Sequence, residues 1–163
     1  MDTTWLWLGA LAAAALAALG FRRYAGLVIR VHSRSMLPTL RAGQLLFARP
    51  LRDPGQLRHG DIVVLQSEEL NERIIKRLAG LPGDRLAIDA QGLQRNGQRV
   101  DEPHVAHHGG RTGRWQVPSG HCFVLGDNRA ASSDSRSWQA PYVPLHAIVG
   151  IVRGRSAVGL RND

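Results

Sequence analysis

LQRNGQRV (93–100) sets Asn96-Gly97 between two alternating segments. This is the strongest short-range sign of a β-hairpin, because the favoured two-residue turn needs positive φ at both central positions and Asn-Gly tolerates it. Working outward, short apolar runs rich in Val, Ile and Leu recur between Gly, Pro and Asp: LVIRVH (27–32), QLLFA (44–48), DIVVLQ (61–66) and DRLAID (84–89). After the hairpin come HCFVLG (121–126) and AIVGIVRG (147–154). Runs of this length and composition, bounded by turn residues, predict strands. No long amphipathic helix pattern follows residue 26, so the expectation is one mainly β domain. GGRTGR (109–114) reads as a loop; it lacks the Gly-Lys-Ser/Thr ending of a phosphate cradle.

At 163 residues the chain is long enough to bury a core without disulfides. Its formal charge of +8 comes from arginines spread singly or in pairs along the whole length. That distribution favours a solvated surface near anionic lipid over a DNA-reading face. Cys122, the only cysteine, lies in an apolar run and reads as a small buried hydrophobe. His107 and His108 are adjacent rather than at ligand spacing, and neither a metal nor a cofactor is expected.

Before the β region, Thr3 to Phe21 form 19 consecutive uncharged residues. As a helix they would span roughly 28 Å, enough for a bilayer core. Trp5 and Trp7 at one end, and Arg22, Arg23 and Tyr24 at the other, suit the two interfaces. Only Met1 and Asp2 precede the stretch, so it lacks the basic start of a cleavable signal peptide and reads as a retained anchor. The expected organisation is an anchor with its flank over 1–24 and a β-rich domain over 25–163.

Twenty of the 21 basic residues are arginine, leaving Lys76 as the only lysine. Arginine stays protonated at any usable pH, whereas a lysine withdrawn from water loses its proton readily. Only Lys76, set in Arg73-Ile-Ile-Lys-Arg-Leu78, can serve as a neutral amine base. A matching nucleophile is Ser35 in His32-Ser-Arg-Ser-Met-Leu-Pro-Thr-Leu40, where a strand ends and Pro38 forbids its continuation. Ser33, two residues earlier, is placed to offer a hydroxyl to an oxyanion beside the Ser35 N–H. The third cluster, Gly126-Asp-Asn-Arg-Ala-Ala-Ser-Ser-Asp-Ser-Arg136, is a polar loop directly after an apolar run.

Together, Ser35-Met-Leu-Pro-Thr-Leu40, then Ile75-Lys-Arg-Leu-Ala-Gly-Leu-Pro-Gly-Asp84, then the Gly126 to Arg136 loop resemble, in order, the three catalytic-domain signatures of type I signal peptidases. The resemblance implies a largely antiparallel β-sheet catalytic domain behind one N-terminal transmembrane helix. It implies that Ser35 attacks, that Lys76 is the general base, and that Ser33 and the Ser35 backbone form the oxyanion hole. Ser132 would orient the lysine amine, with Asp134 and Arg136 as a supporting ion pair. Two departures stand out: Arg34 and His32 flank Ser33, and only 41 residues separate Asp84 from Gly126, leaving no room for a large inserted subdomain.

Substrates implied by the resemblance are exported preproteins whose signal peptides carry small residues at −3 and −1. Partners would be those peptides and the lipid bilayer, with no nucleic acid. The implied location is the cell membrane, single-pass, with the catalytic domain on the extracytoplasmic face. Arg22, Arg23 and Arg30 would put it in the cytoplasm by the positive-inside rule, so the orientation stays open. Three rival readings remain: a maturation protease of the same family for one precursor, such as that of a nickel superoxide dismutase; a self-cleaving repressor; and a non-enzymatic membrane-tethered binding domain.

Overall fold

A computed structural model describes residues 7–9, 11, 13, 14, 26–68 and 70–152. The expected anchor over 1–24 falls largely outside these residues; positions 7–9, 11, 13 and 14 are helical and exposed. No described helix is long and apolar enough to cross a membrane.

The remainder is built from eleven strands. A seven-stranded antiparallel sheet takes β1 (Leu27–Arg30), β2 (Leu45–Pro50), β3 (Ile62–Ser67), β4 (Glu72–Gly80), β9 (His121–Leu125), β10 (Val143–Pro144) and β11 (Ile148–Val152), in the order β1-β2-β11-β3-β4-β9-β10. A smaller sheet of order β7-β6-β5-β8 takes β5 (Arg85–Asp89), β6 (Gly92–Arg95), β7 (Gln98–Arg99) and β8 (Gly113–Gln116). The Asn96-Gly97 turn joins β6 to β7 as expected, with φ of 54° and 84° at its two residues. The helical pieces among the described residues of the β region are two short 3₁₀ turns, at Pro54–Gln56 and Leu145–Ala147.

Two differences from the sequence reading concern strand boundaries. LVIRVH leaves the sheet after Arg30: the Val31 N–H still reaches the Gln44 carbonyl at 2.9 Å, but the Val31 carbonyl takes the Gly43 N–H at 2.8 Å while the Gln44 N–H turns to the Arg41 carbonyl, and a loop follows. Gly113 and Arg114, the end of the expected 109–114 loop, already pair with Ile88 and Ala87 as the start of β8. Charged residues hid a third feature: Glu72, Arg73, Lys76 and Arg77 punctuate β4, the longest strand, which showed only a short apolar patch in sequence.

Alternation along the strands divides the core into three. Val63, Leu65, Ile74, Leu78, Cys122, Val124, Ile148 and Ile151 form one face of the large sheet, closed by Leu57 and Trp138. Ala79, Phe123 and Leu125 pack against Leu86, Ile88 and Leu93 and so weld the small sheet to the large one. Trp115 and Phe123 stack tilted at 5.1 Å between centroids at that joint. The third cluster, Val31, Met36, Leu40 and Leu46, seats the loop after β1 on the sheet, where Ile62, Ile75 and Val152 pack against it. Burial of these side chains from water supplies the drive for all three.

Candidate active site

Ser35 sits in the loop that the third cluster anchors. Met36 and Leu40 are buried, and the Leu40 N–H donates to the Met36 carbonyl at 2.8 Å, closing a turn around Pro38. These apolar anchors hold Ser35, itself only 8% exposed, at the edge of the fold. Its carbonyl accepts the Asn128 N–H at 3.0 Å, and Asn128 Nδ2 donates to the Arg34 carbonyl at 3.3 Å. The loop after β9 therefore clasps the serine turn from the other side.

Lys76 lies in the middle of β4, opposite Val63 of β3, and alternation puts it on the same face as buried Ile74 and Leu78. Its side chain is 4% exposed. Burial lowers the amine from an ordinary 10.5 to about 8; Asp134 opposes the shift and Arg136 adds to it. Nζ donates to Ser132 Oγ at 3.2 Å. Ser35 and Lys76 line one groove of about 300 Å³ with Ile29, Val31, Ser33 and Ile75. Ser35 Oγ pairs with Ser33 Oγ at 3.1 Å, and among the described residues no hydrogen bond joins it to Lys76. Catalytic hydrogen bonds are often long in unliganded sites and tighten with substrate.

The loop carrying Ser132 is held by a buried ion pair. Arg136 Nε and Nη2 donate to Asp134 Oδ1 at 2.8 Å and Oδ2 at 2.9 Å, and both residues are almost wholly inaccessible. Arg136 also donates to the Gly109 and Arg129 carbonyls at 2.7 and 2.8 Å. Asp134 Oδ2 in turn accepts the Gly126 N–H at 3.0 Å. Every charge is thus paired and hydrogen-bonded, the condition under which a buried pair is tolerable. Gly126 has no space to spare: a Cβ there would collide with Ser132 Oγ and lie 2.6 Å from the Ser35 carbonyl.

Sequence reasoning quoted Arg77 and Asp127 within motifs but gave them no part. Arg77 grips Asp127 with a two-pronged fork, Nε to Oδ1 at 2.8 Å and Nη2 to Oδ2 at 2.7 Å. Thr39 Oγ1 donates to Asp127 Oδ2 at 2.5 Å. The residue after the lysine, the Gly126 loop and the serine turn are thereby tied together. Adjacency was the only available sign: Arg77 follows Lys76, and Asp127 follows Gly126.

Cys122 is fully buried, and burial pushes its thiol up to about 12, so it supplies no thiolate. His107 and His108 are exposed; the His107 carbonyl accepts the Ala130 N–H at 3.2 Å. No cluster of three or more His, Cys, Asp or Glu side chains that could hold a metal occurs among the described residues.

Comparison with known proteins places this geometry among relatives. Residues 4–156 match the family model described as "Signal peptidase, peptidase S26". The chain is 41% identical over 138 residues to signal peptidase I of Bacillus caldolyticus, covering 75% of this chain and 74% of that protein. It is 36% identical over 143 residues to signal peptidase I of Bacillus licheniformis, with coverage of 80% and 77%. Among solved structures, a signal peptidase I from Enterococcus faecalis superposes with a TM-score of 0.55 at 28% identity, covering 60% of this chain and 97% of that one.

Proposed function

Since the chain belongs to the signal peptidase family, peptidase S26, and is a serine endopeptidase that removes signal peptides, we propose that it works through Ser35 as nucleophile and Lys76 as general base. The observation that carries the assignment is the setting of the only lysine: buried, depressed to about 8, and held by Ser132 in the same groove as Ser35. An amine with that pKa is neutral in useful amounts near pH 8, where an ordinary lysine is not.

In the proposed reaction, Lys76 takes the Ser35 hydroxyl proton as Oγ attacks the scissile carbonyl. Ser33 Oγ and the Ser35 N–H stabilise the resulting oxyanion. Lys76 then passes the proton to the departing amine of the mature protein, leaving an ester on Ser35. Water, deprotonated by the same amine, attacks the ester and releases the signal peptide. Ser132 orients the amine, and the Asp134–Arg136 pair holds the Ser132 loop.

Preproteins are the substrates, and the proposed preference is for small residues at −3 and −1. An extended precursor fits the groove because β9 pairs with β4 only from Arg77 onward, leaving the edge of residues 72–76 without a strand among the described residues. The proposed location is the membrane, single-pass, with residues 1–24 as anchor and 25–163 as the β-rich peptidase domain on the extracytoplasmic face. An apolar surface supports it: Val28 and Phe47 are cross-strand partners, and with Leu45 they are 54–69% exposed. The Phe47 ring lies against Gly26, where the chain enters β1.

Cleavage of a model preprotein in detergent by the wild type, Ser35→Ala and Lys76→Ala tests the dyad. Both variants are expected to lose cleavage by at least about three orders of magnitude; activity surviving either substitution removes that residue from the mechanism. Protease added outside spheroplasts is expected to digest the domain, and protection there reverses the proposed orientation.

A further inference from the structure

The groove that holds Ser35 and Lys76 is walled by arginine. Arg30, Arg34 and Arg73 all line it, and among the described residues Glu72 is the one acid that does. Arg30, Arg34 and Arg73 are exposed, and among the described residues none has a carboxylate within ion-pair distance. Elsewhere the arginines facing the fold are matched: Arg77 to Asp127, Arg129 to Glu102, Arg136 to Asp134. Three exposed guanidiniums without a carboxylate partner among the described residues thus stand where a precursor would lie.

We propose that these arginines select precursors carrying an acidic side chain a few residues from the scissile bond, with Arg73 as the main determinant. The inference rests on the Ser35/Lys76 reading and deepens it. Arg73 is three residues before Lys76 on the unpaired edge of β4, about 10 Å at the rise of a strand. A chain pairing with that edge brings a side chain about three positions from the cleaved bond beside Arg73. Alternation puts Arg73 on the face of Ile75, which packs against the cluster holding the serine turn. The guanidinium therefore belongs to the wall facing the substrate. Arg34, adjacent to Ser35, extends the same field to the residues bordering the bond, and Arg30 extends it to the far end. A guanidinium receives a carboxylate with two parallel hydrogen bonds, so Asp or Glu fits there and Lys or Arg is repelled.

An anionic lipid surface is the competing use of the same charges, and the experiment separates the two. A preprotein-derived peptide is prepared with Asp, Asn or Lys placed in turn at each of the six positions on either side of the cleaved bond. It is cleaved by the full chain in uncharged detergent. At a position about three residues from the bond, kcat/KM for Asp is expected to exceed that for Lys by about fivefold. The ratio should fall towards one in Arg73→Gln and invert in Arg73→Glu, which then prefers Lys. Because the readout is a ratio within each variant, a general loss of activity does not mimic it; should Arg73→Glu be inactive on every peptide, Arg73→Gln decides. Equal ratios in wild type and variants overturn the proposal. So does discrimination that emerges only when anionic vesicles replace detergent. Cleavage of the unsubstituted peptide that persists in Ser35→Ala would instead remove the catalytic reading itself.

Discussion

Replacing Lys76 with methionine keeps the length and approximate volume of the side chain, deletes the amine, and is expected to abolish cleavage while stabilising the fold. In the folded chain the amine titrates near 8 because burial disfavours the ammonium, whereas the unfolded chain restores the ordinary 10.5. Between those two values the unfolded state holds a proton that the folded state has released. The stability tied to this group is therefore complete above about pH 10.5, declines as pH falls, and is lost below about pH 8. A gap of about 2.5 units at about 1.4 kcal/mol each makes the buried ammonium cost about 3 kcal/mol at pH 7. Methionine avoids that cost but leaves Ser132 Oγ without its donor, which returns about 1 kcal/mol. Urea unfolding of the full chain in detergent should thus find Lys76→Met about 2 kcal/mol more stable than wild type at pH 7, the advantage vanishing near about pH 10 and reversing to a deficit of about 1 kcal/mol above about pH 10.5. A variant less stable at pH 7, or an advantage that does not change with pH, refutes the reasoning. The same titration sets the pH–rate profile of the wild type: kcat/KM should rise about tenfold per unit below pH 8 and level off above it.

Three other outcomes follow from the geometry. Ser33→Ala should lower kcat by about 10² to 10³ with little change in KM, measured by steady-state cleavage, because the lost hydroxyl acts on the oxyanion rather than on bound substrate. Asp134→Ala strands the guanidinium of Arg136 in the interior and should cost about 3 to 5 kcal/mol in chemical unfolding. Gly126→Ala must displace either Ser132 or the Ser35 turn; a loss of activity far larger than the loss of thermal stability is expected, and the reverse ranking would show that the glycine serves folding instead.

The strands with alternating or continuous apolar character could be read directly, since burial of one face imposes that pattern whatever lies around it. The Asn96-Gly97 hairpin is local chemistry and is equally legible. β4 is different. Its edge is half open and its side chains serve the groove, so charges stand where a core strand would carry Val or Ile, and the pattern that marks a strand is lost at the place where the site is built. Lys76 was conspicuous because nothing else in the chain can be a neutral amine base, whereas Ser35 among many hydroxyls was singled out by its motif. Long-range partnerships left the weakest trace. Arg77 with Asp127, or Thr39 with Asp127, join residues 50 and 88 apart, and no single-sequence periodicity encodes such a pairing.

An unpaired strand edge that can receive a precursor chain can also receive the edge of a second copy, and exposed edges of this kind are where β proteins stick to one another. Within the five open residues of β4, Glu72, Arg73 and Lys76 are charged. Two such edges meeting would crowd guanidinium against guanidinium. The interrupted sheet thus carries its own protection against self-association, and neutralising Arg73 removes part of that protection along with any preference among precursors. Open enough to feed, charged enough to stay solitary: the two demands fall on the same few positions of one strand.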